Sequence, residues 1–129
     1  MKVLVLGGCG IQGRTALYDL ASDQTVSHII CADLQFDELS KIEAFTNMEK
    51  ITTARIDAED KSALLNLYEK VDVVIDLLPK EFKTHVNETA LEAKVNVVNT
   101  SYMYHPEAVD KKRKRPDSPS CPNAGWIQE

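Results

Sequence analysis

The stretch Val3-Leu4-Val5-Leu6-Gly7-Gly8-Cys9-Gly10-Ile11-Gln12-Gly13-Arg14 decides how this chain is read. It opens with an unbroken run of valine and leucine, the pattern of a strand buried on both faces. Glycines then fall at 8, 10 and 13, and a helical pattern continues to about Ser22. The spacing Gly8-x-Gly10-x-x-Gly13, placed directly after a strand and opening a helix, is the phosphate-binding turn of dinucleotide-binding folds. Each glycine answers a physical demand. The first makes a tight turn, the second lets a pyrophosphate approach the backbone, and the third lets helix and strand pack closely. The helix that follows offers unpaired N–H groups and a partial positive charge to the phosphates.

Outward from this stretch, strand and helix patterns alternate. Strands are expected at about 3–7, 28–33, 51–56, 71–78 and 95–99. Helices are expected at Ile11–Ser22, from an N-cap at Asp37 through Leu39, Ile42, Phe45 and Met48, at Glu59–Lys70, and at Phe82–Lys94 with Phe82, Val86, Ala90 and Ala93 on one stripe. Five such alternations predict an α/β fold, a Rossmann-like doubly wound parallel sheet with helices on both faces. With strand order 3-2-1-4-5, the order reverses between the first and fourth strands. Their carboxyl ends, Gly8–Gly13 and Leu77–Pro79, then face one crevice, where open α/β sheets take their ligands.

The chain's 129 residues suffice for one domain with a real core. A hydrophobic content of 43% is ordinary for a globular protein. No apolar run has the length of a membrane-spanning helix, so no membrane partner is expected. The formal charge of −5 argues against a nucleic-acid partner. Cys9, Cys31 and Cys121 make no metal-ligand spacing, and an odd count fits a reducing compartment, hence a cytoplasmic location. The charge is uneven: residues 111–129 carry 5 Lys/Arg and 2 Asp/Glu, the reverse of the acidic body.

Several residues carry candidate chemistry. Asp33 ends the second strand 20 residues after Gly13, where a carboxylate accepts from the adenosine ribose hydroxyls and repels a 2′-phosphate. Leu34 follows, with no arginine nearby to hold such a phosphate, so NAD is expected over NADP. Asp57, at the end of the third strand, is a candidate for the adenine edge and equally a cap on the next helix. Leu77, Leu78 and Pro79 would line the nicotinamide side. Asp72 fits the exposed start of the fourth strand. Asp76 needs a polar pocket or a helix end to receive it and is not assigned to catalysis. His28, His85 and His105 are scattered without metal spacing, and no Ser/His/Asp arrangement can be drawn.

With these motifs placed, the chain resembles the N-terminal nucleotide-binding domain of the saccharopine dehydrogenase family, NAD(P)-dependent oxidoreductases that also include lysine 6-dehydrogenases and carboxynorspermidine-type enzymes. The matching stretches are VLVLGGCGIQGR at 3–14, ICADL at 30–34 and VDVVIDLLPKEFKTHVNETALEAKVNVVNTSYM at 71–103. The resemblance covers about residues 1–110, taken as the dinucleotide-binding domain. It implies that Gly8, Gly10, Ile11, Gln12 and Gly13 hold pyrophosphate, Asp33 the ribose, and Leu78 and Pro79 the nicotinamide side. Thr100, Ser101 and Tyr102 would lie where the chain leaves the sheet towards substrate. Family members are much longer and complete their active site with a second α/β domain. A small-molecule substrate is therefore expected only in a longer form, and no catalytic residue is assigned here.

Residues 111–129 are expected to be irregular. Lys111–Arg115 formally resembles a nuclear import signal, and a Pro- and Ser-rich segment follows. Shifted by one frame, the codons of Arg115–Glu129 can spell a Gly-Leu-Asp-Pro-Gly segment like the family's own continuation, with the Asp forced by Trp126 followed by Ile127. An out-of-frame tail is therefore the expectation, ahead of a genuine interaction tail. The alternative for the whole chain is a nucleotide-sensing regulatory module without catalysis, which would use a self-complementary apolar surface to form a homodimer.

Overall fold

The computed structural model describes residues 1–100. Its elements are β1 (Lys2–Leu6), α1 (Ile11–Ser22), β2 (His28–Asp33), β3 (Ile51–Arg55), α2 (Lys61–Tyr68), β4 (Val73–Asp76), α3 (Lys83–Ala93) and β5 (Asn96–Asn99). Short 3-10 turns lie at Asp37–Lys41, Met48–Lys50 and Lys80–Phe82. The five strands form one parallel sheet in the order β3-β2-β1-β4-β5. This is the Rossmann-like arrangement expected from the alternation, with the order reversing between β1 and β4.

Side-chain alternation along the strands builds two cores. On one face Val3, Val5, Ile29 and Cys31 meet Leu17 and Ala21 of α1, together with Leu39 and Ile42. On the other, Leu4, Leu6, Ile30, Ala32 and Val74 meet Leu64, Leu67 and Tyr68 of α2 and Val86 and Ala90 of α3. Because β1 is covered on both sides, it has to be apolar at every position from Val3 to Leu6. That requirement is why its sequence shows no polar alternation.

The segment between β2 and β3 departs from the expected helix. It forms a 3-10 turn at Asp37–Lys41, then turns, and the residue capping that turn is Phe36 with no side-chain hydrogen bond, not Asp37. The apolar residues Leu39, Ile42 and Phe45 recur every third position, the period of a 3-10 helix, in which side chains three apart eclipse. Leu39 and Ile42 are buried, while Phe45 is 61% exposed and meets Tyr18 edge-on, with ring centroids 5.5 Å apart. Asn47 closes the region by accepting a hydrogen bond from Glu49 N at 3.2 Å.

The other boundaries shift by at most two residues. β4 is shorter than 71–78, although Asp72 N and Leu77 N continue its pairing to Lys2 O and Leu6 O at 2.9 and 3.0 Å. α2 starts at Lys61 because Asp60 caps it, accepting from Ala63 N at 3.1 Å. α3 ends where Lys94 turns left-handed at φ 56.

Leu64 is fully buried between α2 and the sheet. Leu64→Ala is expected to lower stability by about 2–4 kcal/mol in urea unfolding, from lost transfer energy plus the cavity left behind.

Candidate functional site: the crevice between the glycine turn and the β4–α3 turn

The turn after β1 brings backbone against backbone. Gly7 takes φ +74, a left-handed conformation costly for any side chain. A Cβ on Gly13 would lie 2.3 Å from Gly7 O and 2.6 Å from Gly8 Cα, so α1 can cross β1 this closely only with glycine there. A Cβ on Gly8 would meet Cys31 Sγ at 2.5 Å. Gly10 differs from both. It is exposed and extended, and its nearest neighbour to a Cβ is Gly7 O at 3.5 Å. Fold geometry therefore requires glycine at 7, 8 and 13, while a Cβ on Gly10 would make only ordinary van der Waals contact. No side chain caps the N-terminus of α1, so its first N–H groups remain available to an anion.

Asp33 fastens this turn to the sheet. Its Oδ2 accepts from Cys9 N at 3.0 Å and its Oδ1 from Leu34 N at 2.7 Å. The other side of the Cys9 residue is held by Arg14, whose Nη1 donates to Cys9 O at 2.7 Å and to Glu38 Oε2 at 3.1 Å. Gly7 N donates to Ala32 O at 2.9 Å. Gly8, Gly10, Ile11, Gln12, Gly13 and Asp33 are thus gathered at the carboxyl edge of β1 and β2.

Across the reversal point lies the turn after β4. Leu77 O would be 3.1 Å from a Cβ on Gly7, and Leu78 Cδ2 3.4 Å, so Gly7 is where the two halves of the crevice touch. Leu78 is half-buried and Pro79 exposed. Asp57 follows Ile56, whose N donates to Asp33 O at 3.2 Å, which places it at the same edge of the sheet. Exposed beyond β3, its carboxylate accepts from Glu59 N at 2.9 Å and its carbonyl from Asp60 N at 3.0 Å, which closes the turn ahead of α2, while the cap of α2 itself is Asp60.

Two features escaped the sequence. Arg55 is the register partner of Asp33 in the parallel β2–β3 pair, and register partners project to the same face of a sheet. An arginine is therefore near Asp33 after all, contrary to expectation, and among the described residues no ion pair joins the two. Asp76 is fully buried at the end of β4, against the first residue of α3. It pairs with Lys83, whose side chain is 11% exposed and whose Nζ stands 3.1 Å from Asp76 Oδ2. A carboxylate inside an apolar strand does demand a cation, but only the path of the β4–α3 turn shows that Lys83 supplies it.

Cys9 and Cys31 lie beneath the turn with Sγ atoms 3.9 Å apart as free thiols. Burial raises both above the ordinary thiol value, Cys31 well above it; the neighbouring thiol and the charge of Asp33 add to the rise at Cys31. No group of three or more His, Cys, Asp or Glu able to hold a metal occurs among the described residues, and none of their helices is long and apolar enough to cross a membrane.

A parallel sheet in this order, with a glycine turn and an uncapped helix at its switch point, defines a Rossmann-type dinucleotide-binding domain. The family model "Saccharopine dehydrogenase NADP binding domain" matches residues 3–128, and the chain belongs to that family. The chain is 32% identical over 84 residues to an alpha-aminoadipic semialdehyde synthase of Arabidopsis thaliana, a match covering 64% of this chain and 8% of that protein. It also resembles the apo saccharopine dehydrogenase (L-Glu forming) of Saccharomyces cerevisiae, with 27% identity and a TM-score of 0.66 over 81% of this chain and 22% of that one. A Rossmann-fold NAD(P)-binding family protein of Shigella flexneri shares the fold at 22% identity, with a TM-score of 0.60 over 74% of this chain and 49% of that one. The chain thus spans a small part of the length of its dehydrogenase and synthase relatives. The reading of residues 111–129 lies outside the described residues.

Gly13→Ala is expected to cost at least ~2 kcal/mol in urea unfolding, because backbone atoms meet the added carbon. Gly10→Ala, with room for its carbon, should cost less than ~1 kcal/mol. In a Cys121→Ser background, both remaining thiols should resist alkylation at pH 8 and become reactive on unfolding. Their raised values also fix a sign. Below the unfolded thiol value of about 9.0 both states are neutral and the contribution is complete; as pH rises further the unfolded thiols ionise first, so stability falls. Unfolding curves from pH 8 to 10.5 test this against a Cys9→Ala/Cys31→Ala variant, which should show a shallower alkaline decline, the buried Tyr68 phenol keeping part of it.

Proposed function

We propose that this chain is the cofactor-binding half of a saccharopine dehydrogenase-like oxidoreductase acting on an amino-acid-derived substrate. The observation that carries the proposal is the exposed, extended Gly10 at an uncapped helix N-terminus, bordered by Asp33. In this reading the N–H groups of Ile11, Gln12 and Gly13 receive the pyrophosphate, Gly10, whose own N–H is spent on Gly7 O, lets it approach the backbone, and Gly8 and Gly13 permit the approach of helix to strand. Asp33 keeps lone pairs for the ribose hydroxyls beyond those spent on Cys9 and Leu34. Leu78 and Pro79 border the nicotinamide. Asp57 stays a weaker candidate for the adenine edge, since its carboxylate is already engaged in a turn.

The bound nicotinamide would supply hydride exchange with a carbon bearing an amino group. This chain's residues would bind and orient the cofactor. No residue that would hold substrate or move its proton is assigned among the described residues.

We further propose that NAD is preferred to NADP, with Arg55 limiting the preference. Asp33 repels a 2′-phosphate, while Arg55 on the same face attracts it. Calorimetric titration should show binding of both, NAD the tighter. Asp33→Ala should weaken NAD by about tenfold and narrow or reverse the preference. Arg55→Ala should weaken NADP by several-fold and leave NAD nearly unchanged. Gly10→Ala should weaken both while remaining folded. Failure of either dinucleotide to bind at millimolar concentration would overturn the reading.

A further inference from the structure

The β4–α3 turn carries a buried charge pair that neither the glycine motif nor Asp33 accounts for. Asp76 is 0% exposed at the last position of β4, beside Leu6 of β1. Its Oδ1 accepts from Leu78 N at 3.0 Å. Lys83, at the first position of α3, reaches back and donates to the carbonyl oxygen of Asp76 at 2.9 Å. The same ammonium stands 3.1 Å from Oδ2, outside hydrogen-bond geometry, so that oxygen has a charge partner and no donor.

The backbone N–H groups from Leu77 to Pro79 are accounted for one by one. Leu77 N donates to Leu6 O at 3.0 Å, Leu78 N to the Asp76 carboxylate, and Pro79 has no N–H to donate. Phe82 N then donates to Pro79 O at 3.1 Å. Asp76 and Lys83 together fix the path of Leu77, Leu78 and Pro79. That path ends against Gly7, with Leu77 O at 3.1 Å from a Cβ position. A buried ion pair is weak evidence for stability, because desolvation offsets its attraction, and such pairs are better explained by what they hold in place.

We propose that Asp76 and Lys83 are positioning residues for the nicotinamide side of the crevice. They hold the Leu77–Pro79 wall at a set distance from the glycine turn, and touch no cofactor themselves. The proposal rests on the dinucleotide reading above, and it predicts a split between the two halves of the ligand. The adenosine and pyrophosphate lie over β1 and β2, away from this wall; only the nicotinamide half depends on it.

The test compares NAD with ADP on the full chain, by titration monitored in amide NMR spectra. Lys83→Met and Asp76→Asn should each weaken NAD by about tenfold and leave ADP within about twofold, after correction for the folded fraction. Equal weakening of both ligands, or of neither, would overturn the positioning role and leave the dinucleotide reading intact. A wild-type chain that binds neither ligand would overturn both. Where a single variant fails to fold, the double variant Asp76→Asn/Lys83→Met removes both charges and keeps an acceptor for Leu78 N. It should fold and still show the split, and full recovery of NAD affinity in it would mean that the pair only balances charge.

Discussion

Everything at the ligand edge of this sheet follows from how closely α1 crosses β1. At Gly13 the helix backbone comes so near the β1 turn that a single added carbon would overlap Gly7 O and Gly8. The approach aims the first turn of α1 at the reversal point of the sheet, where β1 and β4 part. A helix set a few tenths of an ångström farther out would point its N–H groups elsewhere. It would also loosen the contact by which Leu17 and Ala21 cover Val3, Val5 and Cys31.

A close approach of this kind leaves the turn with strained or unpaired backbone, and the surrounding residues absorb it. Gly7 carries the left-handed φ. Asp33 and Arg14 take the N–H and the carbonyl of Cys9, so neither is left without a partner. Asp33 consequently serves two ends. It belongs to the site by position and to the turn by hydrogen bonding, and substituting it perturbs both. On the far side the Asp76–Lys83 pair does for the β4–α3 turn what Asp33 and Arg14 do for the first one. The crevice is framed by two turns, each braced by a carboxylate at the end of a strand and a cation in the first turn of the helix that follows.

Most of the fold was legible because its signals are local. A strand covered on both faces must be apolar throughout, and β1, β2 and β4 read that way. Helices packed on one side show apolar residues one turn apart, as Phe82, Val86, Ala90 and Ala93 do. Along Asp37–Met48 a spacing of three residues imitates a helical face. That spacing matches a 3-10 turn, and Thr46 and Asn47 favour turns over a continuing helix. Family membership was also legible, in the glycine turn and in the Leu-Pro and Thr-Ser-Tyr segments that follow β4 and β5.

The sequence by itself determined the parallel α/β architecture, the place of the switch point and the kinship with saccharopine dehydrogenases. Each of these depends on residue types at fixed spacing along the chain. Tertiary structure alone decided the partners of the charges. Arg55 lies 22 positions beyond Asp33 and stands beside it only because β2 and β3 pair in that register. Lys83 reaches Asp76 only because the turn between them doubles back over the end of β4. A charge has no periodicity of its own, so its partner is set by the path of the backbone. Here that path is the register of β2 with β3 in one case and the β4–α3 turn in the other.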